Sequence, residues 1–511
     1  MTRAAGPIFA ALPEAPAVRT AREFVPSLPL FTVLSAMAIV VQIGEFTVPY
    51  FSLLLYGGVL FLLCISKQVF LMGLMSALII GNDITPKEIP AVTFYDLSIG
   101  SFSVPSLSVM LLFAVGAIGF LSTKHTKGVA RLPRTLFLMI CILVYGLLIG
   151  FSSFNSFREL VNDSAVFLAP VAVVLYLWQF HRHDWPLVFK VTTTALTAKF
   201  FVSPLNFLLG YGEAIGSTLM VVVDSSRNTT PVLLIWGIAL LWQLPANFRN
   251  QVWGMIVVGA ALFVSINAAS RTNIALLAIS LALFFWLLGR SGVHIGLNRR
   301  LLRLMLLSFL AIIVSTPILA NMDIGFFLWK LSSFLPTGAD LGDENMSSTI
   351  RYLEAINIVD YLAQKNRMLI GTGFGGYFQD ELVPFAYLVY NTTTYPDHWI
   401  DAGTLYKPHT YPMLILLKVG VLGLTVTGIV IWRAVFSWLS VKDYATFLEK
   451  VLLAAVSATM IVLFYKSFNL KLQCILGFML FVILAAQADI AARRRFARGP
   501  GKLETFNREP G

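Results

Sequence analysis

The sequence predicts an all-α, polytopic membrane protein with about 14 transmembrane helices and one large, partly helical periplasmic loop. Of the 511 residues, 57% are apolar and only 12% are charged, whereas a soluble globular domain carries about 25% charged residues. The mean hydropathy of +0.79 agrees with this composition. Too little polar surface remains to cover a water-soluble particle, which excludes a soluble enzyme, a disordered chain and a nucleic-acid-binding domain.

Individual spans follow from apolar segments of roughly 20 residues, the length that crosses a bilayer. The fourteen segments lie near 28–44, 49–66, 68–82, 103–122, 135–151, 164–180, 187–209, 230–245, 251–268, 272–289, 302–320, 409–432, 448–466 and 471–488. The third, fifth and eighth are short for a full crossing. The chain then divides into an N-terminal tail (1–27), helices 1–11 (28–320), a large loop (321–408), helices 12–14 (409–488) and a basic tail (489–511).

Lysine and arginine positions set the predicted orientation. With the N-terminus inside and the spans alternating, inside segments hold 23 of the 37 basic residues, outside segments hold 11, and three lie within or at spans. Cytoplasmic loops carry an excess of Lys and Arg, so both termini are predicted to be cytoplasmic. The net charge of +11 is then explained by membrane anchoring, without a nucleic-acid partner.

The loop of residues 321–408 stands apart, because its 88 residues exceed every other loop, each of about 20 residues or fewer. A large outer loop suggests that something is bound or processed at that surface. Within it, Asn345 can cap a helix. The helical spacing then predicts an apolar stripe packed on the membrane domain, made of Tyr352, Ile356, Val359 and Ala363.

Two other patterns in this loop favour structure over cofactor chemistry. The run GTGFGG at 371–376 has no Lys-Ser/Thr after it, so it predicts a tight turn with close backbone packing and no nucleotide loop. Asp397, His398, Asp401 and His409 match no familiar metal-site spacing. We therefore predict no metal and no cofactor.

Arginines on the predicted outer face are candidate ligands for a pyrophosphate. They are Arg158, Arg227, Arg271 and Arg351, with Arg367 also in the large loop. The planar guanidinium donates two parallel hydrogen bonds to a phosphate ester. Arg271 lies in a very short turn between two spans, at the depth of a lipid headgroup. Simple contact with bilayer phosphates is the alternative for each of them.

A second set of candidates comprises one histidine and two lysines. His409 opens the twelfth span, where a neutral imidazole can accept a proton near pH 7. An interfacial histidine that is merely hydrogen-bonded is the alternative. Lys199 and Lys418 lie within spans, where each is either a functional cation or the partner of a neighbouring helix.

The run His409-Thr410, nine further residues and Gly420-Val-Leu-Gly423 resembles the signature of the bacterial O-antigen ligase and polysaccharide polymerase superfamily. Ser270-Arg271 in an outer turn, the Arg351 helix and the following glycine-rich stretch are similar to that family and lie in its order. The resemblance covers roughly residues 230–432. Ligases usually have Asn, Ser or Gln after the histidine, so Thr410 favours a polymerase.

The resemblance implies a metal-independent glycosyltransferase of the bacterial inner membrane whose active site faces the periplasm. The donor would be a glycan on undecaprenyl pyrophosphate and the acceptor a sugar hydroxyl, with other polysaccharide-assembly proteins as further partners. Arg271, Arg351, Arg158 and Arg227 would hold the pyrophosphate, and His409 would deprotonate or orient the acceptor. A polymerase of an exopolysaccharide or O-antigen is the first expectation, and a ligase to lipid A core is its rival.

Two readings of other classes stay open at this stage. A flippase for lipid-linked oligosaccharides would explain Lys199 and Lys418 as cavity charges, but it leaves the 88-residue loop unexplained. A membrane scaffold without chemistry predicts that replacing Arg271 or His409 by alanine leaves the glycan product unchanged.

Overall fold

The computed structural model describes most of the chain in separate stretches. These are residues 21–24, 27–48, 78–81, 98–99, 102–123, 133–202, 228–243, 271–293, 346–384, 395 and 397–498, with isolated positions 51, 54, 57, 58, 254, 257, 258 and 261. Apart from one short β-pair, the regular structure in these stretches is helical.

Thirteen helices are bounded as follows in the described stretches: α1 (Ala21–Phe24), α2 (Leu28–Thr47), α3 (Val104–Thr123), α4 (Arg134–Ser152), α5 (Phe157–Phe180), α6 (Trp185–Val202), α7 (Thr230–Gln243), α8 (Arg271–Arg290), α9 (Met346–Gln364), α10 (Asp397–Asp401), α11 (Tyr411–Phe436), α12 (Phe447–Lys466) and α13 (Leu470–Arg498). Arg182–Asp184 and Ser437–Tyr444 form 3₁₀ turns. Strands β1 (Ser98–Ile99) and β2 (Phe102–Ser103) pair antiparallel.

Seven helices of the described stretches are long and apolar enough to cross a membrane: α2, α3, α4, α5, α11, α12 and α13. Two shorter apolar helices, Thr230–Leu240 and Ala275–Arg290, accompany them. A multi-pass helical membrane protein is thus confirmed. The predicted spans near 49–66, 68–82, 251–268 and 302–320 lie almost wholly outside the described residues.

Helix α5 is the centre of the bundle and packs against α3, α4 and α13. Small residues let the backbones approach closely, as is usual where lipid removes a hydrophobic driving force between helices. A Cβ added at Gly116 of α3 would lie 3.0 Å from the Tyr176 backbone nitrogen, and one at Gly477 of α13 would lie 2.9 Å from Pro170 Cα. The sixth span was predicted from residue 164, but α5 begins at Phe157.

Helix α11 is broken at Gly420, where φ is +67°. The break frees backbone groups that a segment of the large loop then pairs. Thr372 and Gly373 donate to the carbonyls of Leu417 and Lys418, at 2.8 and 2.9 Å, and Val421 donates to Met368 at 3.0 Å. Irregular backbone inside a membrane domain is tolerated when protein satisfies its polar groups in this way.

The predicted tight turn with close backbone packing is confirmed at the glycine-rich run. Gly371, Gly373 and Gly375 all have positive φ, between 74° and 80°. A Cβ at Gly375 would lie 2.7 Å from the Leu160 nitrogen, and one at Gly373 would overlap the backbone of Gly150 in α4. Only glycine accommodates both the dihedral angles and the space.

The helix predicted to start near Asn345 begins at Met346, but the predicted apolar stripe is wrong. Tyr352 and Val359 are 66% and 43% exposed. The buried face of α9 instead carries Ile350, Glu354, Asn357, Ile358 and Leu362. Two polar residues belong to this face because their side chains find partners inside the protein, a possibility that an apolar pattern alone does not reveal.

One end of the bundle collects basic residues. Arg493 pairs with the buried Glu449 of α12, and Lys442 donates to the Arg290 carbonyl at the end of α8. Burial lowers the pKa of the Arg182 guanidinium, with the nearby Asp489 carboxylate of α13 opposing that shift and the like charge of Arg495 adding to it. The opposite end holds the α4–α5 turn together with the start of α11 and helix α9, and the last two carry the candidate site.

Candidate active site

His409 lies at the start of α11 against a buried carboxylate of α9. Its Nδ1 hydrogen-bonds Glu354 Oε1, and its backbone N–H donates to Glu354 Oε2 at 3.1 Å. The Glu354 side chain is 1% exposed, whereas the imidazole is 24% exposed. With the proton on Nδ1, Nε2 carries a lone pair, and it has no hydrogen-bond partner among the described residues. This tautomer suits proton acceptance.

Tyr395 completes the surroundings of Glu354. Its hydroxyl donates to Glu354 Oε1, and its ring lies 5.1 Å from the imidazole in an edge-to-face arrangement. Burial and the neighbouring carboxylate raise the pKa of the Tyr395 phenol well above its ordinary value. The phenol therefore stays protonated at physiological pH. Glu354 thus accepts from three donors, which compensates for burying its charge.

Arg351 is one helical turn before Glu354 and points to the start of α8. Its guanidinium donates to Thr272 Oγ1 at 2.7 Å. Residues three apart on a helix lie on the same face, about 5–6 Å apart between Cβ atoms. One face of α9 therefore connects the His409 imidazole to the N-terminus of α8.

Arg271 is the first residue of α8, immediately before the threonine that Arg351 contacts. Its side chain lies outside the described part of the structure. Its backbone position still places Arg271 at the start of α8, next to the threonine that Arg351 of α9 contacts. A helix N-terminus carries a partial positive charge that favours anions. Arg351 and the start of α8 therefore form an electropositive pair of neighbouring elements.

Arg158 and Arg227, the other two predicted pyrophosphate ligands, have no described contact with this group. Arg158 lies in the first turn of α5 with an exposed side chain, and no described contact joins it to Arg351 or His409. Arg227 lies outside the described residues. The structure therefore relates Arg351 and His409 through helix α9, which carries both Arg351 and the Glu354 that binds His409. No described contact brings Arg158 into that group.

Lys418 is fully buried in α11 and forms an ion pair with Asp163 of α5, at 2.6 Å. Lys418 also donates to the Gly376 carbonyl, and Asp163 accepts from the Gly375 N–H at 2.7 Å. Both charges are therefore paired and also hold the glycine-rich turn. The sequence left two roles open for Lys418, a functional cation and a pairing residue between helices. These contacts favour the pairing role.

Lys199 is also buried, with 2% exposure, in α6. Its ammonium donates to Gln42 Oε1 of α2 at 3.0 Å. The contact joins two helices of the bundle, which favours a packing role for Lys199.

Sequence reasoning missed Glu354, Tyr395, Thr272 and Asp163. The Arg351-x-x-Glu354 spacing placed both residues on one helical face and could have revealed the carboxylate. Thr272 directly follows Arg271, a candidate site residue, which could have drawn attention to it. Asp163 was missed because the sixth span was predicted to begin at residue 164. The sequence around Tyr395 has no helical or strand periodicity, so no sequence signal identifies it.

The geometry of His409 and Glu354 is suited to base catalysis, and Arg351 lies one helical turn from that pair. A buried carboxylate orients the imidazole and stabilises the cation that forms when the imidazole takes a proton. Compared with protein-family models and with curated proteins, the sequence matches none. The residues and their geometry are therefore the basis of the functional interpretation.

Proposed function

We propose that this protein is a membrane glycosyltransferase that uses undecaprenyl-pyrophosphate-linked glycans at the periplasmic face. Its first expected activity is the joining of oligosaccharide repeat units into an exopolysaccharide or O-antigen. The observation that carries the proposal is the single face of α9 on which Glu354 binds His409 and Arg351 binds the start of α8.

The proposed reaction is a direct displacement at the anomeric carbon of the donor sugar. His409 Nε2 takes the proton of the acceptor hydroxyl, whose oxygen forms the new glycosidic bond. The bond between the anomeric carbon and the pyrophosphate oxygen breaks, and undecaprenyl pyrophosphate leaves with the electron pair. Arg351 and Arg271 stabilise the negative charge that develops on the leaving group. Attack opposite the leaving group inverts the anomeric centre.

Glu354 is a positioning residue in this mechanism, because it acts through His409. Its carboxylate keeps the proton on Nδ1 and leaves Nε2 free to act as the base. General-base assistance contributes about 10²- to 10⁴-fold. Loss of His409 should therefore cripple turnover while donor binding persists.

The proposal includes the finer topology predicted from the sequence. Fourteen spans, cytoplasmic termini and a periplasmic loop of residues 321–408 put His409 on the outer face. The collection of Arg182, Arg493 and Lys442 at the opposite end of the bundle supports this orientation under the positive-inside rule.

Purified protein given only lipid-linked repeat units tests the proposal. A polymerase yields a ladder of lipid-linked glycans, and His409→Ala should abolish the ladder. A ligase gives no extension until lipid A core is added. Transport of the lipid-linked unit without any new glycosidic bond would refute the proposal in favour of a flippase.

A further inference from the structure

A cleft of about 470 Å³ opens beside the glycine-rich turn and does not include His409 or Arg351. Ligand-binding clefts usually measure about 300–1,000 Å³. Its walls come from the α4–α5 turn, the end of α9 and the segment before α11. The glycine-rich run and Arg367 contribute to its lining, but the proposed chemistry does not use this cleft.

Three half-buried tyrosines form a row along the cleft. The Tyr361 and Tyr377 ring centroids are 6.2 Å apart, and those of Tyr377 and Tyr406 are 5.8 Å apart. Burial and the neighbouring Tyr377 raise the pKa of Tyr361 to about 12, so its hydroxyl stays protonated. A row of such rings is longer than one pyranose and offers apolar faces together with hydroxyl groups. Pyranose rings present the same combination of C–H faces and hydroxyl edges.

Two cations lie beside this row. Lys365 and Arg367 line the cleft, and no Asp or Glu is among the described residues that line it. The Lys365 ammonium is 5.8 Å from the Tyr361 ring centroid, a favourable cation–π distance. A ligand in this cleft would therefore meet aromatic faces and two cationic side chains, while the Glu381 carboxylate acts on Tyr361 from outside the lining.

The cleft floor is held by buried polar contacts. Gly375 and Gly376 in the floor are bound by Asp163 and Lys418, respectively. Asn155 in the wall donates to the Thr372 and Phe374 carbonyls, both at 2.9 Å. Such a floor presents a formed surface to a ligand before binding, which lowers the entropic cost of association.

We propose that this cleft is a saccharide subsite that binds an acidic glycan, one bearing uronic-acid or similar carboxylates. The tyrosine row would stack against the sugar rings, and Lys365 and Arg367 would pair with a sugar carboxylate. The subsite rests on the proposed function, since it would hold the glycan chain next to the reacting sugar. Tyr406 is three residues from His409, a reach of at most about 11 Å.

Binding of oligogalacturonide (trimer) to the purified full-length protein, without any lipid donor, tests the inference. Maltotriose serves as the uncharged probe, and calorimetry gives the affinities. We expect the trimer to bind, and to bind about tenfold more weakly or worse to the double variant Lys365→Gln/Arg367→Gln. Tyr377→Ala should also weaken binding, because the centre of the row is lost. Lys450→Gln, outside the cleft, is the matched control and should bind like the wild type.

Three results would overturn the inference. The wild type binds neither sugar, the variants bind the trimer as the wild type does, or maltotriose binds as tightly as the trimer. Binding of inorganic pyrophosphate by a protein that binds neither sugar would also overturn the inference and would identify a diphosphate site instead. These readouts are independent of turnover. If the wild type makes ladders, His409→Ala does not, and neither protein binds the trimer, the glycosyltransferase is retained and the subsite is rejected. If the wild type binds the trimer but makes no ladders, the subsite is retained and the polymerase activity is rejected.

Discussion

Replacing Glu354 by glutamine tests the positioning of the catalytic base. The side chain keeps its size and one carbonyl oxygen, but it loses the charge that faces His409 Nδ1. Hydrogen bonds to charged groups contribute about 1.5–3 kcal/mol. At about 1.4 kcal/mol per tenfold, the expected fall in kcat is about 10- to 150-fold. This is smaller than the about 10²- to 10⁴-fold expected for losing the base itself.

The assay is the rate of ladder formation from lipid-linked repeat units at varied donor concentration. Because Arg351 and its contact with Thr272 are unchanged, the donor KM should stay near the wild-type value. Tyr395→Phe is the matched control, since it removes one donor from Glu354 and leaves both His409 contacts. It should lower kcat much less than Glu354→Gln does.

A glutamine variant with wild-type kcat would refute the assignment of His409 as a carboxylate-oriented base. Glu354 would act only in packing if kcat fell in proportion to the folded yield of Glu354→Gln. In that case Tyr395→Phe should lose kcat and folded yield to a similar extent. Thermal unfolding of both variants in detergent separates these outcomes, because a positioning role leaves folded fractions comparable.

Three further expectations concern the anion site, metal independence and the buried ion pair. Arg271→Ala should raise the donor KM about tenfold or more. Arg271→Lys should restore the donor KM only in part, because an ammonium cannot form the bidentate contact. A fully active lysine variant would contradict that contact. EDTA should leave the rate of ladder formation unchanged, and strict metal dependence would overturn leaving-group stabilisation by arginine alone. Lys418→Met should lower stability by about 3–5 kcal/mol in thermal unfolding, and adding Asp163→Leu should recover part of it, since an unpaired buried charge costs more than none.

Polar residues in or next to the membrane domain were the most informative part of the sequence. His409 at the entrance of a span and Lys418 within it attract attention because charge near lipid is costly and needs a reason. The residues that pair with them are distant along the chain, as Asp163 is from Lys418. Composition and periodicity describe neighbours along a helix and carry little information on such partners.

The stripe on α9 shows where pattern reasoning fails. Tyr352 and Val359 repeat at helical spacing, yet the helix turns them outward and buries Glu354 and Asn357. Asn357 accepts from the Leu382 and Val383 N–H groups, both at 3.1 Å, so its burial fixes the chain that returns after the glycine-rich turn. A polar residue with a distant partner overrides an apolar repeat.

The spacing between His409 and Gly420 acquires a physical meaning from the two places where α9 and its following turn attach to α11. At the first, His409 binds Glu354. At the second, Gly420 opens the helix and Val421 binds the Met368 carbonyl, so the chain after α9 is held about 15 Å beyond the start of α11. Two separated attachments restrain both translation and rotation of α9, whereas one would leave it free to pivot. The glycine break therefore keeps Glu354 and Arg351 in register with His409, far from the break itself.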